Sequence, residues 1–338
     1  MSTPRVLVTG ATGFLGRHLL GALRARNVPA AVLVRRPDEW VRQDWVSEAG
    51  PVHVVEGGPL APDAWMRDPA LADVKTVFHL AAQVKHSRVA PEEMETLNVE
   101  GTLHMVRVAS ALGARLVYVS SSGTVGCFRF PDVVADEHAP HAEALAGRWP
   151  YYASKIRAEK EARRLADKLG VELVIVRPPV LLGPGDHRFR STGHVLRVLE
   201  HRLPVVPRGG MHFTDVRDVA ASLTRLTELE QPRSIYHLPG TASTLGAFFR
   251  MVSEVSYTSV TERQVPNWLL EGVARVARSS SPRWLPDPVV LEMSTCYWGL
   301  SSLWSERELG HTVRPPRQTL VETVSWLREH APRKAAHR

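Results

Sequence analysis

Short apolar runs recur along the first half of the chain, at Val6–Val8, Ala30–Val34, Val52–Val55, Thr76–Leu80, Leu116–Ser120 and Leu173–Val176. Each has the length and composition of a buried strand. Between them lie stretches with helical spacing, among them Gly16–Arg26, Met94–Leu112 and Tyr151–Leu169. Strands that alternate with helices predict an α/β fold. The expected architecture is a doubly wound parallel sheet, with helices on both faces and the ligand outside the C-terminal strand ends.

Beyond Arg177 the pattern loosens and prolines become frequent. This predicts a smaller lobe from residues 178–212 and 238–330, covering a larger domain built from 1–177 and 213–237. The tail 331–338 reads as frayed. Internal repeats and low-complexity tracts are not evident.

Composition narrows the function classes. The chain has 338 residues, 44% of them hydrophobic, enough for a sizeable core. No apolar run reaches the ~18 residues of a membrane helix. The first strand begins almost at once, so a leader is not expected. Cys127 and Cys296 are the only cysteines, too few for a disulfide framework. A soluble, reduced, cytoplasmic protein is expected, without membrane contact. The net charge is +7, but the arginines are scattered, with only small pairs such as Arg35-Arg36 and Arg163-Arg164. Nucleic-acid binding is therefore not expected. An anionic cofactor or substrate accounts for a few of these cations.

Residues 5–16 carry the strongest chemical signal: Arg-Val-Leu-Val-Thr-Gly-Ala-Thr-Gly-Phe-Leu-Gly. A strand, a glycine turn and a helix form a cradle for a dinucleotide pyrophosphate. Gly10 permits the turn, Gly13 lets the phosphates approach the backbone, and Gly16 lets the helix pack closely. The helix N-terminus adds free N–H groups and partial positive charge.

Tyr151-Tyr152-Ala153-Ser154-Lys155 is the second signal. On a helix Tyr151 and Lys155 share one face. A phenol titrates near ~10, and an adjacent ammonium lowers that value by favouring the phenolate. The pair reads as a proton donor or acceptor usable near neutral pH. The third signal, Val119-Ser120-Ser121-Ser122-Gly123-Thr124-Val125-Gly126, ends a buried strand where ligands sit. A serine there can hydrogen-bond an oxygen that Tyr151 protonates.

These elements, in this order, resemble the short-chain dehydrogenase/reductase superfamily, and its extended branch in particular. Further likenesses are Phe78-His79-Leu80-Ala81-Ala82, Asn98-Val99-Glu100-Gly101-Thr102, Arg177-Pro178-Pro179 running to Asp186, and Phe213-Thr214-Asp215-Val216-Arg217-Asp218-Val219-Ala220. Together they cover nearly the whole chain. The resemblance implies a Rossmann domain with a C-terminal substrate-binding lobe. It makes Tyr151 the general acid/base and Lys155 the residue that tunes it and holds the nicotinamide ribose. Counting from both ends of the serine loop favours Ser121 as the polarising residue, with Ser122 second. Cofactor contacts are implied at Gly10, Thr12, Gly13, Phe14, Leu15 and Gly16. Others are implied at Leu80, Ala81 and Ala82, at Asn98, and at Pro178. No metal is implied.

Relatives that prefer NAD place an acid at the end of the second strand. Here Val34 is followed by Arg35 and Arg36, which suit a 2′-phosphate. NADP(H) is therefore preferred, with Arg35 first and NAD(H) possible. The adenine-side Asp of the family is replaced by Gly57-Gly58. The expected activity is reduction of a carbonyl on a small, largely apolar or ring-bearing metabolite, in the manner of dihydroflavonol reductases and hydroxysteroid dehydrogenases. Nucleotide-sugar enzymes place an arginine where this chain has Met211, although Arg208 and Arg217 keep an epimerase or dehydratase reading open. A non-catalytic NADP(H)-binding regulator ranks third. A homodimer through the helices bearing Met94–Leu112 and Tyr151–Leu169 is a family-level expectation.

Overall fold

The computed structural model describes residues 3–203, 205–261, 263–278 and 286–332. Its main sheet contains β1 (Val6–Thr9), β2 (Ala30–Val34), β3 (His53–Glu56), β4 (Thr76–His79), β5 (Arg115–Val119) and β6 (Leu173–Arg177). A smaller sheet uses β7 (Val180–Leu182), β8 (Gly210–Asp215) and β10 (Thr241–Thr244), while β9 (Ile235–His237) returns to the main sheet. The main order is β9-β6-β5-β4-β1-β2-β3, with every pair parallel. The winding reverses between β1 and β4, so the ligand crevice opens at their C-terminal ends.

The apolar runs are explained by the two faces of this sheet. Val6 and Val8 point into one core, with Val32, Phe78, Val117 and Val174. Leu7, between them, points into the other, with Leu33, Val77, Leu116 and Ile175. Successive side chains alternate across a strand, so a strand buried on both faces must be apolar throughout. Helix α1 (Phe14–Ala25) covers the first face through Leu15, Leu19, Leu20 and Leu23. The second face is covered by α2 (Gly101–Leu112) and α3 (Pro150–Leu169). The buried alanines Ala158, Ala162 and Ala166 form a narrow stripe on α3 that lets it lie close.

Two elements differ from the expected pattern. The helix expected over Met94–Leu112 is broken: a short helix Pro91–Glu95 passes into a π-helical segment, Thr96–Glu100, before α2 begins. β8 is a single strand of the smaller sheet and runs across position 213, the expected point of return to the large domain. Return comes immediately after it, through α4 (Val216–Arg225), whose Val216, Val219, Ala220 and Leu223 pack in the core with α1.

The smaller lobe has its own core. Phe213 and Met211 of β8 meet Phe248 and Val252 of α5 (Leu245–Ser256) and Leu320, Val324 and Trp326 of a late helix. Between these two lies α6 (Asn267–Ala277), and the late helix is α7 (Pro316–His330). Trp326 is core, as its helical spacing suggests. Trp268 and Leu269 are 73% and 42% exposed on α6, while Leu270 is buried. Trp284 and residues 333–338 of the expected frayed tail lie outside the described residues. Among the described residues, no helix is long and apolar enough to cross a membrane. Cys127 and Cys296 are free and buried.

Burial leaves several histidines unable to accept a proton. His79 is held down to about 3, and His18, His212 and His237 to about 4, each chiefly by loss of solvent. The unfolded chain takes up these protons near 6.5, whereas the folded protein does not until near 4. Stability from this source is complete above pH 6.5 and is lost as pH falls toward 4. Thermal unfolding at constant ionic strength should show Tm falling by more than about 5 °C between pH 7 and pH 5. A flat profile over that range would show that these imidazoles are protonated in the folded state.

Candidate active site

The turn after β1 leaves no room for side chains. Gly10 has φ +71°, and a Cβ there would stand 2.6 Å from the Ala81 nitrogen. A Cβ on Gly16 would stand 2.3 Å from the Gly10 carbonyl oxygen. These two contacts draw α1 and the Leu80–Ala81 backbone against the turn. Gly13 precedes α1, and no side chain caps the helix. The N–H groups of its first turn, at Phe14, Leu15 and Gly16, therefore remain available to an anion. Thr12 is exposed at the tip of this turn. The uncapped N–H groups fit a pyrophosphate, and a side chain on Gly10 or Gly16 would push apart the backbone segments that form the turn.

A chain of hydrogen bonds leads from the cradle to α3. Thr9 Oγ1 and His79 Nδ1 share a bond of 2.8 Å, and Thr9 Oγ1 accepts from the Ala81 N–H at 3.3 Å. His79 Nε2 meets Thr102 Oγ1 at 3.2 Å, and Thr102 donates to the Asn98 carbonyl at 2.6 Å. Asn98 sits inside the π-helical segment, the kind of irregularity often found at functional sites. Its side chain accepts from the Gln83 N–H at 2.8 Å and donates to the Gln83 carbonyl at 3.1 Å. It also donates to Ser154 Oγ at 2.9 Å, and Ser154 in turn donates to the Tyr151 carbonyl at 2.7 Å. Asn98 thus ties the loop after Ala82 to the first turn of α3.

Tyr151 and Lys155 lie on the buried face of α3. The Lys155 Nζ donates to the Val119 carbonyl at 3.0 Å and stands 4.7 Å from the Tyr118 ring centroid. Burial lowers its pKa to about 8, against the pull of Glu159. The Tyr151 phenol is pushed up to about 12 by burial, with the Ser121 side chain acting in the opposite direction. The lowering expected from Lys155 is absent here, because the ammonium is turned to Val119 and Tyr118. Desolvation decides the phenol's state, and it is protonated at neutral pH.

The three serines have separate fates. The Ser120 hydroxyl donates to buried Glu159 and is fully engaged there. Ser121 caps the short turn that follows, accepting from the Gly123 N–H at 3.4 Å, and its side chain favours ionisation of the Tyr151 phenol. Ser122 uses its backbone N–H to hold the Pro178 carbonyl at 2.8 Å. Gly123 is required by Tyr152, since a Cβ would fall 2.1 Å from a ring carbon.

Glu159 was not legible in the sequence as a functional residue. Its carboxylate accepts from Thr124 Oγ1 at 3.0 Å and from Arg177 Nε at 3.1 Å, and it meets His141 Nε2 at 2.9 Å. The Arg177 guanidinium pairs with it where both side chains are almost fully buried. Although burial opposes the charge, Arg177 and these donors hold the carboxyl far below its usual range. Arg177 Nη1 also contacts His237 Nε2 at 3.2 Å, and His237 Nδ1 meets the Ser301 carbonyl at 2.9 Å. A neutral His237 protonated on Nδ1 satisfies both contacts. The available signal was spacing: Glu159 falls one further turn along the face that carries Tyr151 and Lys155.

At the end of β2, Arg35 is exposed and its side chain passes the open face of Gly58. It makes no ion pair among the described residues. Arg36 is also exposed, and it pairs with Glu39. On the substrate side, Met211 is buried in the small-lobe core. Arg217 is bound to Asp215 and Glu322, whereas Arg208 is exposed.

The model of the NAD dependent epimerase/dehydratase family matches residues 6–239. The chain belongs to this family. It is 32% identical to a 3-diazoavenalumate denitrifying reductase of Streptomyces sp., over 72% of this chain and 82% of that one. It is also 32% identical to a ceramide reductase of Caulobacter vibrioides, over 91% and 84% of the two chains. The solved structure of gox2253 is 30% identical, with TM-score 0.80 over 96% of this chain and 98% of that one. The protein is accordingly an oxidoreductase of the extended short-chain dehydrogenase/reductase type, in a family that binds NAD(P).

Within this family member the Glu159–Arg177 pair is a structural dependency. Arg177→Met would leave a buried carboxylate without its cation, a change that typically costs about 3–5 kcal/mol. Urea unfolding should show the midpoint falling with little change in slope. Replacing both residues, as Glu159→Gln with Arg177→Met, should recover part of the loss. A single Arg177→Met protein as stable as the parent would mean that the pair contributes nothing net.

Proposed function

We propose that the protein reduces a ketone or related carbonyl on a small, largely apolar or ring-bearing metabolite, with NADPH as the preferred donor. One observation carries the choice of substrate class. Met211 occupies the position where the family resemblance puts a diphosphate-binding arginine and is buried in the small-lobe core, while Arg217 is committed to two carboxylates, which leaves exposed Arg208 as the cation still open to a diphosphate. A buried diphosphate with so little cationic charge around it is strongly penalised. The reductase names of the relatives support the same reading.

In this reading the larger domain holds the cofactor and the smaller lobe closes over the substrate. The bound nicotinamide supplies the hydride. Tyr151 enters the reaction protonated, because burial holds its phenol near 12, and gives that proton to the carbonyl oxygen as negative charge develops there. Ser121 donates a hydrogen bond to the same oxygen. Lys155 holds the ribose, its ammonium engaged by the Val119 carbonyl rather than by the phenol. Asn98 and Ser154 fix the backbone from which Tyr151 projects.

Tyr151→Phe should reduce NADPH oxidation with a panel of aromatic, alicyclic and steroid-like ketones by about 10²–10⁴-fold, with cofactor binding nearly intact. Ser121→Ala should cost about 10²–10³-fold and exceed the effect of Ser122→Ala. The same panel run against UDP-, GDP- and TDP-sugars tests the substrate class. A nucleotide-sugar bound at micromolar concentration and epimerised without net cofactor consumption would replace this reading. Cofactor binding with no turnover of either panel would point to a regulator.

Cofactor choice is assigned to Arg35. A charge-assisted hydrogen bond to the 2′-phosphate contributes on the order of 1.5–3 kcal/mol. Arg35→Ala should therefore weaken NADPH binding by about 10–150-fold and leave NADH binding almost unaltered. Fluorescence titration of both proteins with both cofactors measures this. Equal or tighter NADH binding by the parent protein would overturn the NADPH assignment.

A further inference from the structure

The loop Gln83–Val89 is fixed on both sides of His86. Asn98 holds Gln83, the Arg190 guanidinium donates to the Val84 carbonyl at 2.9 Å, and Arg88 pairs with Glu292 at 3.0 Å. The His86 ring stands edge-on to Tyr151, with centroids 5.5 Å apart and planes at 89°. It lies 6.0 Å from the Tyr152 ring. Its Nδ1 is buried and meets no hydrogen-bond partner. Other interior histidines behave differently. His79, His237 and His311 each engage both ring nitrogens.

A buried polar nitrogen without a partner is costly and uncommon in folded proteins, and this one stands beside the phenol that the carbonyl-reductase reading makes the proton donor. Burial depresses the His86 pKa to about 4, so the ring is neutral at physiological pH. His194 is also held to about 4, chiefly by burial, while the Asp287 carboxylate pulls His86 the other way without overcoming its burial. A neutral imidazole offers one N–H and one lone pair. It has no charge with which to draw in a carboxylate or phosphate.

We propose that His86 forms a second polar subsite for a neutral hydroxyl, carbonyl or carboxamide borne next to the carbonyl that Tyr151 protonates. This rests on the carbonyl-reductase reading and narrows it. The preferred substrates are ring ketones with a vicinal neutral polar group. Ketones that are apolar throughout leave Nδ1 unpaired and bind less well.

The test compares kcat/KM for matched pairs, 2-hydroxycyclohexanone with cyclohexanone and benzoin with deoxybenzoin. The parent protein should favour the hydroxylated member by about 5–10-fold, the worth of one neutral hydrogen bond. H86F should bring that ratio close to one, and H86N, which keeps a polar atom near the Nδ1 position, should retain part of it. H86L takes the place of H86F if the larger ring disturbs folding. Calorimetric titration of the same ketones into cofactor-loaded Tyr151→Phe protein, with and without H86F, reads the discrimination without turnover. A parent ratio near one, or a ratio that H86F leaves unchanged, overturns the subsite and spares the reductase reading. Binding that depends on His86 without reduction by the parent supports the subsite and overturns the reductase reading. Neither binding nor reduction of any pair overturns both.

Discussion

The carboxylate of Glu159 meets partners from three parts of the chain that nothing else joins so directly. Arg177 comes from the end of β6, Ser120 and Thr124 bracket the loop after β5, and His141 comes from the segment leading to α3. A carboxylate in the interior must be matched by charge and hydrogen bonds or it does not stay ionised. Meeting that requirement fixes the separation of β5, β6 and α3 at their ligand-binding ends. It also occupies the Ser120 hydroxyl, while the Ser121 side chain favours ionisation of the Tyr151 phenol. The electrostatic demand of one buried group thereby sets the geometry of a loop it does not belong to.

The polar chain from Thr9 through His79, Thr102 and Asn98 to Ser154 has a similar role on the cofactor side. It passes through the π-helical segment at Thr96–Glu100. A regular helix would present Asn98 differently, so the irregularity is what lets its side chain face Gln83 and Ser154 together. The cradle, the loop carrying His86 and the helix carrying Tyr151 are in this way parts of one hydrogen-bonded frame. Each link is buried, where water competes least for its groups.

Within that frame desolvation governs proton chemistry. It pushes the Tyr151 phenol up to about 12 and the Lys155 ammonium down to about 8. The two shifts move the phenol and the ammonium apart in pKa, each toward its neutral form, and the ammonium rests on Val119 and Tyr118 rather than on the phenol. Burial also keeps the imidazoles at His86 and His194 uncharged. The ring beside Tyr151 is consequently polar and uncharged, in contrast with the uncapped N-terminus of α1 at the glycine turn.

Much of this was determined by the sequence alone. Period and composition gave the parallel sheet, because strands buried on both faces have no polar positions to spare. The glycine spacing after β1 located the cradle, because Gly10 and Gly16 stand where backbone meets backbone. The spacing of Tyr151 and Lys155 placed both on one helix face. Other features depended on contacts between distant segments, for which a linear pattern carries no signal. Glu159 and Arg177 are 18 positions apart and became partners only when β6 packed beside α3. The break in the helix before α2 came from Asn98 satisfying groups on two other elements. The position of Lys155 over Tyr118 and the unpaired nitrogen of His86 are properties of the assembled interior. Local propensity writes the elements into the chain. Burial, which only the tertiary structure assigns, decides which of their polar groups are charged, paired or left for a ligand.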